Sequence, residues 1–257
     1  MPDSVSLSAE TLYAFLLVLA RVGSALVFVP LPGIRGAAEP VRAALAIASA
    51  IALSSRWPRV DAQLVTAGKL AGWVGAEAAT GLAIGISVGI VVEAFALAAQ
   101  ISGLQAGYAY ASTIDPNTDA DSGVLLVFAQ LMGGLLFFAL GLDREVLRLF
   151  AQTLDRIPAG AYTLSATSAD AIIRLGSSLF AFGVRLALPV VALLLMVDIA
   201  LALLGRLNQQ LQLLSLAFPL KMLTALLVLS WISAVFPRVL LEFSGHAWTT
   251  ARRAIGL

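Results

Sequence analysis

Apolar positions run in long blocks along this chain, at residues 11–32, 41–53, 64–107, 124–142, 171–204 and 211–236, with short polar stretches between them. A helix crossing a bilayer needs about 20 apolar residues. The blocks 11–32, 124–142 and 211–236 fit that length, although Arg21 interrupts the first and Pro219 lies near the start of the last. Block 41–53 is too short to cross. It follows Pro30, Pro32, Gly33 and Pro40, so it reads as the return limb of a helical hairpin. Blocks 64–107 and 171–204 are too long for one perpendicular span, and Pro189 sits inside the second. The pattern predicts an all-α membrane protein of bent helical hairpins, with about six apolar segments, some of them not conventional bilayer spans. Residues 54–63, 114–123, 143–169 and 205–210 read as connectors, and the chain beyond Phe236 reads as a polar tail.

Composition sharpens this picture. The chain is 60% hydrophobic and 12% charged, where a soluble domain is about 45–50% apolar and about 25% charged. Its mean hydropathy is +0.95. One membrane-embedded domain over residues 1–257 is expected, in contact with lipid. A net charge of +1 gives no basic footprint for nucleic acid, and the absence of cysteine excludes disulfides and thiolate metal sites. The first residues carry Asp3 and Glu10 and no basic residue, so the first apolar block reads as a retained helix and not a cleaved signal. Residues 35–42 and 56–69 are net basic, as is the tail with Arg238, Arg252 and Arg253, whereas the loop holding Asp115, Asp119 and Asp121 is acidic. Basic segments favour the cytoplasm. The N-terminus is therefore expected outside and the C-terminus in the cytoplasm, provided that block 41–53 does not cross. Arg206 then falls on the outer side, against the rule.

Chemistry concentrates in a wet island at residues 100–123, QISGLQAGYAYASTIDPNTDADSG, between two greasy blocks. A membrane protein places such a stretch where water or a moving substrate reaches it. Asp115, Asn117, Asp119 and Asp121 match positions 1, 3, 5 and 7 of a calcium loop, but Ala120 stands where glycine is needed and Leu126 where glutamate is needed. Asp115-Pro116-Asn117 is turn chemistry, and no metal is assigned. His246 is the single histidine, which removes a histidine-based triad or a multi-histidine metal site. With no phosphate or dinucleotide fingerprint either, no cofactor is expected and an enzyme reading has little support.

Glu77, Gly81, Gly85, Gly89 and Glu93 recur every four residues. Gly81, Gly85 and Gly89 form a ridge on which a neighbouring backbone can approach closely, so they are read as helix-packing positions. Each step overshoots a turn by about 40°, so Glu77 and Glu93 point in different directions. Glu77, Glu93 and Asp198 are read as buried acids, because all three lie within apolar blocks. They either pair with Arg21, Arg174, Arg185 or Arg206, or lie in a protein interface and not in lipid, or relay protons or cations. Asp198, in mid-segment, is expected to be the most sensitive.

Several stretches together resemble the FliR family of flagellar export-gate proteins, whose injectisome counterparts are called SctT. They are LARVGSALVFVPLPGIRG with PVRAALAIASAIAL, then EAATGLAIG, GLQAGYAYASTIDP, FFALGLDREVLRLFAQTLDRIPAG, GVRLALPVVALLLMVDIALALLGRLNQQ and FPLK. GLQAGYAYASTIDP is the most specific. Gln100 stands where the family often has Glu, Asn208-Gln209 where Ala-Pro is common, and the hairpin after Leu140 lacks the family's Asp-Gly-His. The resemblance implies one subunit of a protein export gate in the bacterial inner membrane, at the flagellar basal body or, less readily, in an injectisome. It implies FliP-like and FliQ-like partners, an FlhB-like switch protein and unfolded export substrates. It also implies that the loop from Gly107 to Gly123 plugs the pore, with Gly107, Tyr108, Tyr110, Ile114, Asp115, Pro116, Asn117 and Gly123 as its residues and Tyr108, Tyr110 and Ile114 filling the lumen. The alternative class is a secondary transporter or ion channel using the acids. That class predicts internal repeats, and the sequence has none.

Overall fold

The computed structural model describes residues 8–29, 38–108, 124–163, 165–207 and 213–256. Among them there are α-helices and short 3-10 turns and no strand. The helices are α1 (Ala9–Leu26), α2 (Ala38–Ala52), α3 (Ala67–Ala106), α4 (Val124–Ala139), α5 (Leu142–Arg156), α6 (Ala166–Leu207), α7 (Leu213–Ile232) and α8 (Phe236–Ile255). The chain divides into two compact units. One comprises Met1–Gly89, Gly141–Leu175 and Ser244–Leu257, and the other Ile90–Leu140 and Gly176–Phe243. Helices α3, α6 and α8 contribute residues to both.

Length decides which helices can cross a membrane. Among the described residues, α1, α3, α6 and the stretch Ala217–Ile255 are long and apolar enough, and the bent pair α4–α5 makes a fifth if it is one span. At about 1.5 Å per residue, the 40 residues of α3 and the 42 of α6 extend about 60 Å each, twice the roughly 30 Å hydrocarbon core. Both are overlong, as their apolar blocks predict. Pro189 does not end α6. Helix α2 has 15 residues and is not among the potential spans.

In the first unit, α1 starts at Ser8, whose hydroxyl accepts from the Thr11 amide at 3.3 Å and satisfies a free N–H of the first turn. Its buried positions Ala14, Leu17, Val18, Arg21, Val22 and Ala25 recur at helical spacing. Helix α2 returns against it. The Arg42 guanidinium donates to the Val27 carbonyl at 2.7 Å, and Gly23 and Ala46 lie side by side. Beyond α2, the Trp57 indole donates to the Ala50 carbonyl and its ring lies 5.6 Å from Phe15.

Two stretches differ from the sequence reading. Residues 143–169 are not a simple connector: α5 occupies Leu142–Arg156, burying Leu142, Val146, Leu149, Phe150 and Thr153. The tail beyond Phe236 is α8, which buries Leu240, Phe243, Ala247, Ala251 and Ala254. Both are amphipathic helices whose apolar residues recur every three or four positions. Judged by total hydropathy, their charged faces hide that pattern.

In the second unit, α4 and α6 pack on α3 through glycines. A Cβ at Gly133 would meet Val92 at 2.8 Å, and one at Gly183 would meet Leu97 at 2.7 Å. Phe182 stacks on Phe243 at 4.2 Å. Ala106, Val190, Leu194 and Ala225 form a small core, with Tyr108 packed against it.

Candidate functional site

The glycine ridge of α3 meets α1 of the same chain. A Cβ at Gly81 would overlap the Arg21 carbonyl oxygen outright. One at Gly85 would lie 2.5 Å from the Ala25 carbonyl oxygen, and one at Gly89 2.9 Å from that of Phe28. Side-chain-free backbone is what lets the two helices approach so closely. The progression 21, 25, 28 against 81, 85, 89 has both helices advancing together, one turn at a time.

At one end of this seam lies a buried ion pair. Arg21 Nε donates to Glu77 Oε2 at 2.5 Å, with the two side chains 1% and 3% exposed. The other carboxylate oxygen, Oε1, accepts the Gly160 amide at 3.1 Å. Gly160 has φ +72°, a conformation that suits glycine, and a Cβ there would overlap the Trp73 ring. Glu77 thus ties α1, α3 and the segment after α5 into one knot. Nearby, the Tyr162 hydroxyl donates to the Ala254 carbonyl at 3.1 Å, fastening the last turn of α8.

The other expected acids are placed differently. Glu93 is exposed, not buried. Sixteen residues at about 100° each rotate it about 160° from Glu77, onto the opposite side of α3. Asp198 is half-buried, its side chain 39% exposed. Its partner is Lys221 at 3.0 Å, a residue outside the expected arginine set, and Gln105 reaches it at 3.4 Å. Of the three acids, Glu77 is the sealed one, its side chain 3% exposed. Arg174 pairs with Asp170 on its own helix, and Arg185 and Arg206 are exposed.

The wet island begins at the end of α3. The Tyr108 amide donates to the Gly103 carbonyl at 3.0 Å and the Gly107 amide to that of Leu104 at 3.2 Å. With Gly107 at φ +87°, this is the paired-bond helix stop that glycine permits. A Cβ on Gly107 would press on the Phe218 ring at 2.9 Å. The Tyr108 hydroxyl donates to the Met222 carbonyl of α7 at 3.3 Å. Tyr108 is therefore fastened to α7 by its hydroxyl and, through its ring, to the core beside it. The remaining expected plug residues, Tyr110, Ile114, Asp115, Pro116, Asn117 and Gly123, lie outside the described residues.

Two polar links thus join the end of α3 to its neighbours, Gln105 to Asp198 and Tyr108 to Met222. The sequence offered a signal for the first in Asp198 itself, a lone acid in an apolar block. It offered none for the second, because the acceptor is a backbone carbonyl.

Comparison with known proteins bears on the whole chain. Residues 12–247 match the family described as Bacterial export proteins, family 1. The Flagellar biosynthetic protein FliR of Escherichia coli (strain K12) is 28% identical over 228 residues, 88% of this chain and 84% of that protein. The FliR proteins of Caulobacter vibrioides and Bacillus subtilis are each 28% identical, covering 87% and 84% of this chain and 89% and 84% of their own lengths.

Proposed function

The chain belongs to the bacterial export proteins, family 1, and from that premise we propose that it is a non-enzymatic subunit of the flagellar type III protein export gate. Its apolar helices, together with its FliR relatives, support a protein of the inner membrane. The observation that carries the reading is the match to flagellar relatives over nearly the whole chain. The names of those relatives favour the flagellar branch over the injectisome. The transporter alternative loses one of its three acids, because Glu77 is sealed by Arg21 and the Gly160 amide.

In this reading residues 1–257 act as one membrane-embedded domain beside FliP-like and FliQ-like subunits, with an FlhB-like switch protein and unfolded flagellar proteins as cargo. Residues 107–123 plug the pore. Gly107 and Tyr108 serve as the fixed post of the plug, fastened to α7, and the residues beyond them fill the lumen. Deleting residues 110–122 tests this: the complex should assemble and leak ions or small solutes. Unchanged permeability in an assembled complex would refute the plug.

A further inference from the structure

About half of the positions in the second half of α3 are buried. Val91, Val92, Ala94, Phe95, Ala96 and Ala99 are all buried. Between residues 90 and 106 the exposed positions are Glu93, Gln100 and Leu104. Seven residues fall only about 20° short of two full turns, and four overshoot one turn by about 40°. The three therefore share one narrow stripe, with Glu93 and Gln100 about 10.5 Å apart along the axis. Glu93 and Gln100 have no hydrogen-bond or ion-pair partner among the described residues.

A carboxylate and an amide are costly against lipid, and within membrane helices such groups face protein or water. The stripe is flanked on one side by the buried Val92, Ala96 and Gly103 and on the other by the half-buried Ile90, Leu97 and Ile101, so its open strip is narrow and suits a single helix. Its composition sets the chemistry of that helix. A lysine or arginine must stand opposite Glu93. Two turns along, a hydrogen-bonding side chain must meet Gln100, with an aliphatic contact for Leu104.

We propose that this stripe is the docking seam for one helix of a neighbouring membrane subunit, which carries a basic residue and a hydrogen-bonding residue seven positions apart. The proposal rests on the gate reading above and adds the face and the chemistry of one contact. Glu93 works across the interface, whereas Glu77 works inside the chain.

The test uses the tagged full-length chain co-expressed with its FliP-like and FliQ-like partners. Glu93→Leu and Gln100→Leu should leave the level of the chain itself unchanged and lower the co-purified partner at least tenfold and several-fold respectively. Glu93→Gln should fall between wild type and Glu93→Leu. The chain has no cysteine, so an introduced thiol is a unique probe. Gln100→Cys should react with a water-soluble maleimide in the detergent-purified chain alone and be protected at least tenfold in the complex, with Arg253→Cys as a freely reactive control. If Glu93→Leu lowers the level of the chain itself, the thiol protection decides alone. Normal assembly of Glu93→Leu would mean that the stripe faces lipid. Equal labelling of Gln100→Cys alone and in complex would mean that it lines a water-filled conduit. Either result overturns the seam while leaving the gate reading intact. A wild-type chain that captures no partner overturns both.

Discussion

Replacing glycine by alanine along α3 should have opposite signs at two positions three and a half turns apart. At Gly72 a Cβ meets nothing within 4 Å, whereas at Gly85 it would lie 2.5 Å from the Ala25 carbonyl oxygen, 2.8 Å from Ala25 Cα and 3.0 Å from the Ala25 carbonyl carbon. All three atoms are backbone, so no side chain can swing away and α1 must shift by at least half an ångström to restore an ordinary approach. Both substitutions gain the same helix propensity, about 0.8–1.0 kcal/mol. Overpacking, typically about 1–3 kcal/mol, applies only at Gly85. The difference between the two variants therefore isolates the packing term. Gly72→Ala should stabilise by up to about 1 kcal/mol, and Gly85→Ala should be less stable than Gly72→Ala by about 1–3 kcal/mol. Thermal unfolding of the purified chain in detergent measures this, at about 2–4 °C per kcal/mol for a chain of this size. Gly85→Leu, with three more carbons against the same backbone, should fail to accumulate even without partner subunits. Midpoints for Gly72→Ala and Gly85→Ala within about 1 °C of each other would refute the close α1–α3 approach.

Three further outcomes follow from the contacts. Glu77→Ala leaves the Arg21 charge sealed and unpaired, a change that typically costs about 3–5 kcal/mol, so accumulation of the chain should drop sharply; Asp198→Ala should be milder, because its carboxylate is 39% exposed and Lys221 can reach solvent. Comparable chain levels for the two variants by quantitative blotting would contradict this ranking. Tyr162→Phe removes one buried hydrogen bond to the Ala254 carbonyl, worth about 0.5–1.5 kcal/mol, and should speed trypsin cleavage at Arg252 and Arg253 with little change elsewhere. Arg56→Ala breaks the pair with Asp155, but both side chains are nearly half exposed, so the unfolding midpoint should move by no more than about 1 kcal/mol allows.

The sequence alone determined the class and the membrane character, because an apolar excess over blocks of 20 to 40 residues has no soluble solution. It also showed that block 41–53 is too short to cross and that blocks 64–107 and 171–204 are overlong, since those are matters of length. Spacing of four marked Gly81, Gly85 and Gly89 as a ridge, and the motif around Gly103–Pro116 pointed to the family. The sequence could not say what lies against the ridge. That is decided by which helix arrives there, and in the tertiary structure it is α1 of the same chain. Nor could spacing choose among Arg21, Arg174, Arg185 and Arg206 as the partner of Glu77, because ion pairing depends on three-dimensional proximity and not on separation along the chain. Helices α5 and α8 were hidden for another reason: each buries only one face, so an average over all residues reads polar while the apolar stripe fills the core. The contrast between Glu77 and Glu93 is the sharpest case. Both are acids in one greasy helix, on one four-residue ladder. The accumulated rotation of that ladder sends one to an arginine inside the fold and the other out to its surface.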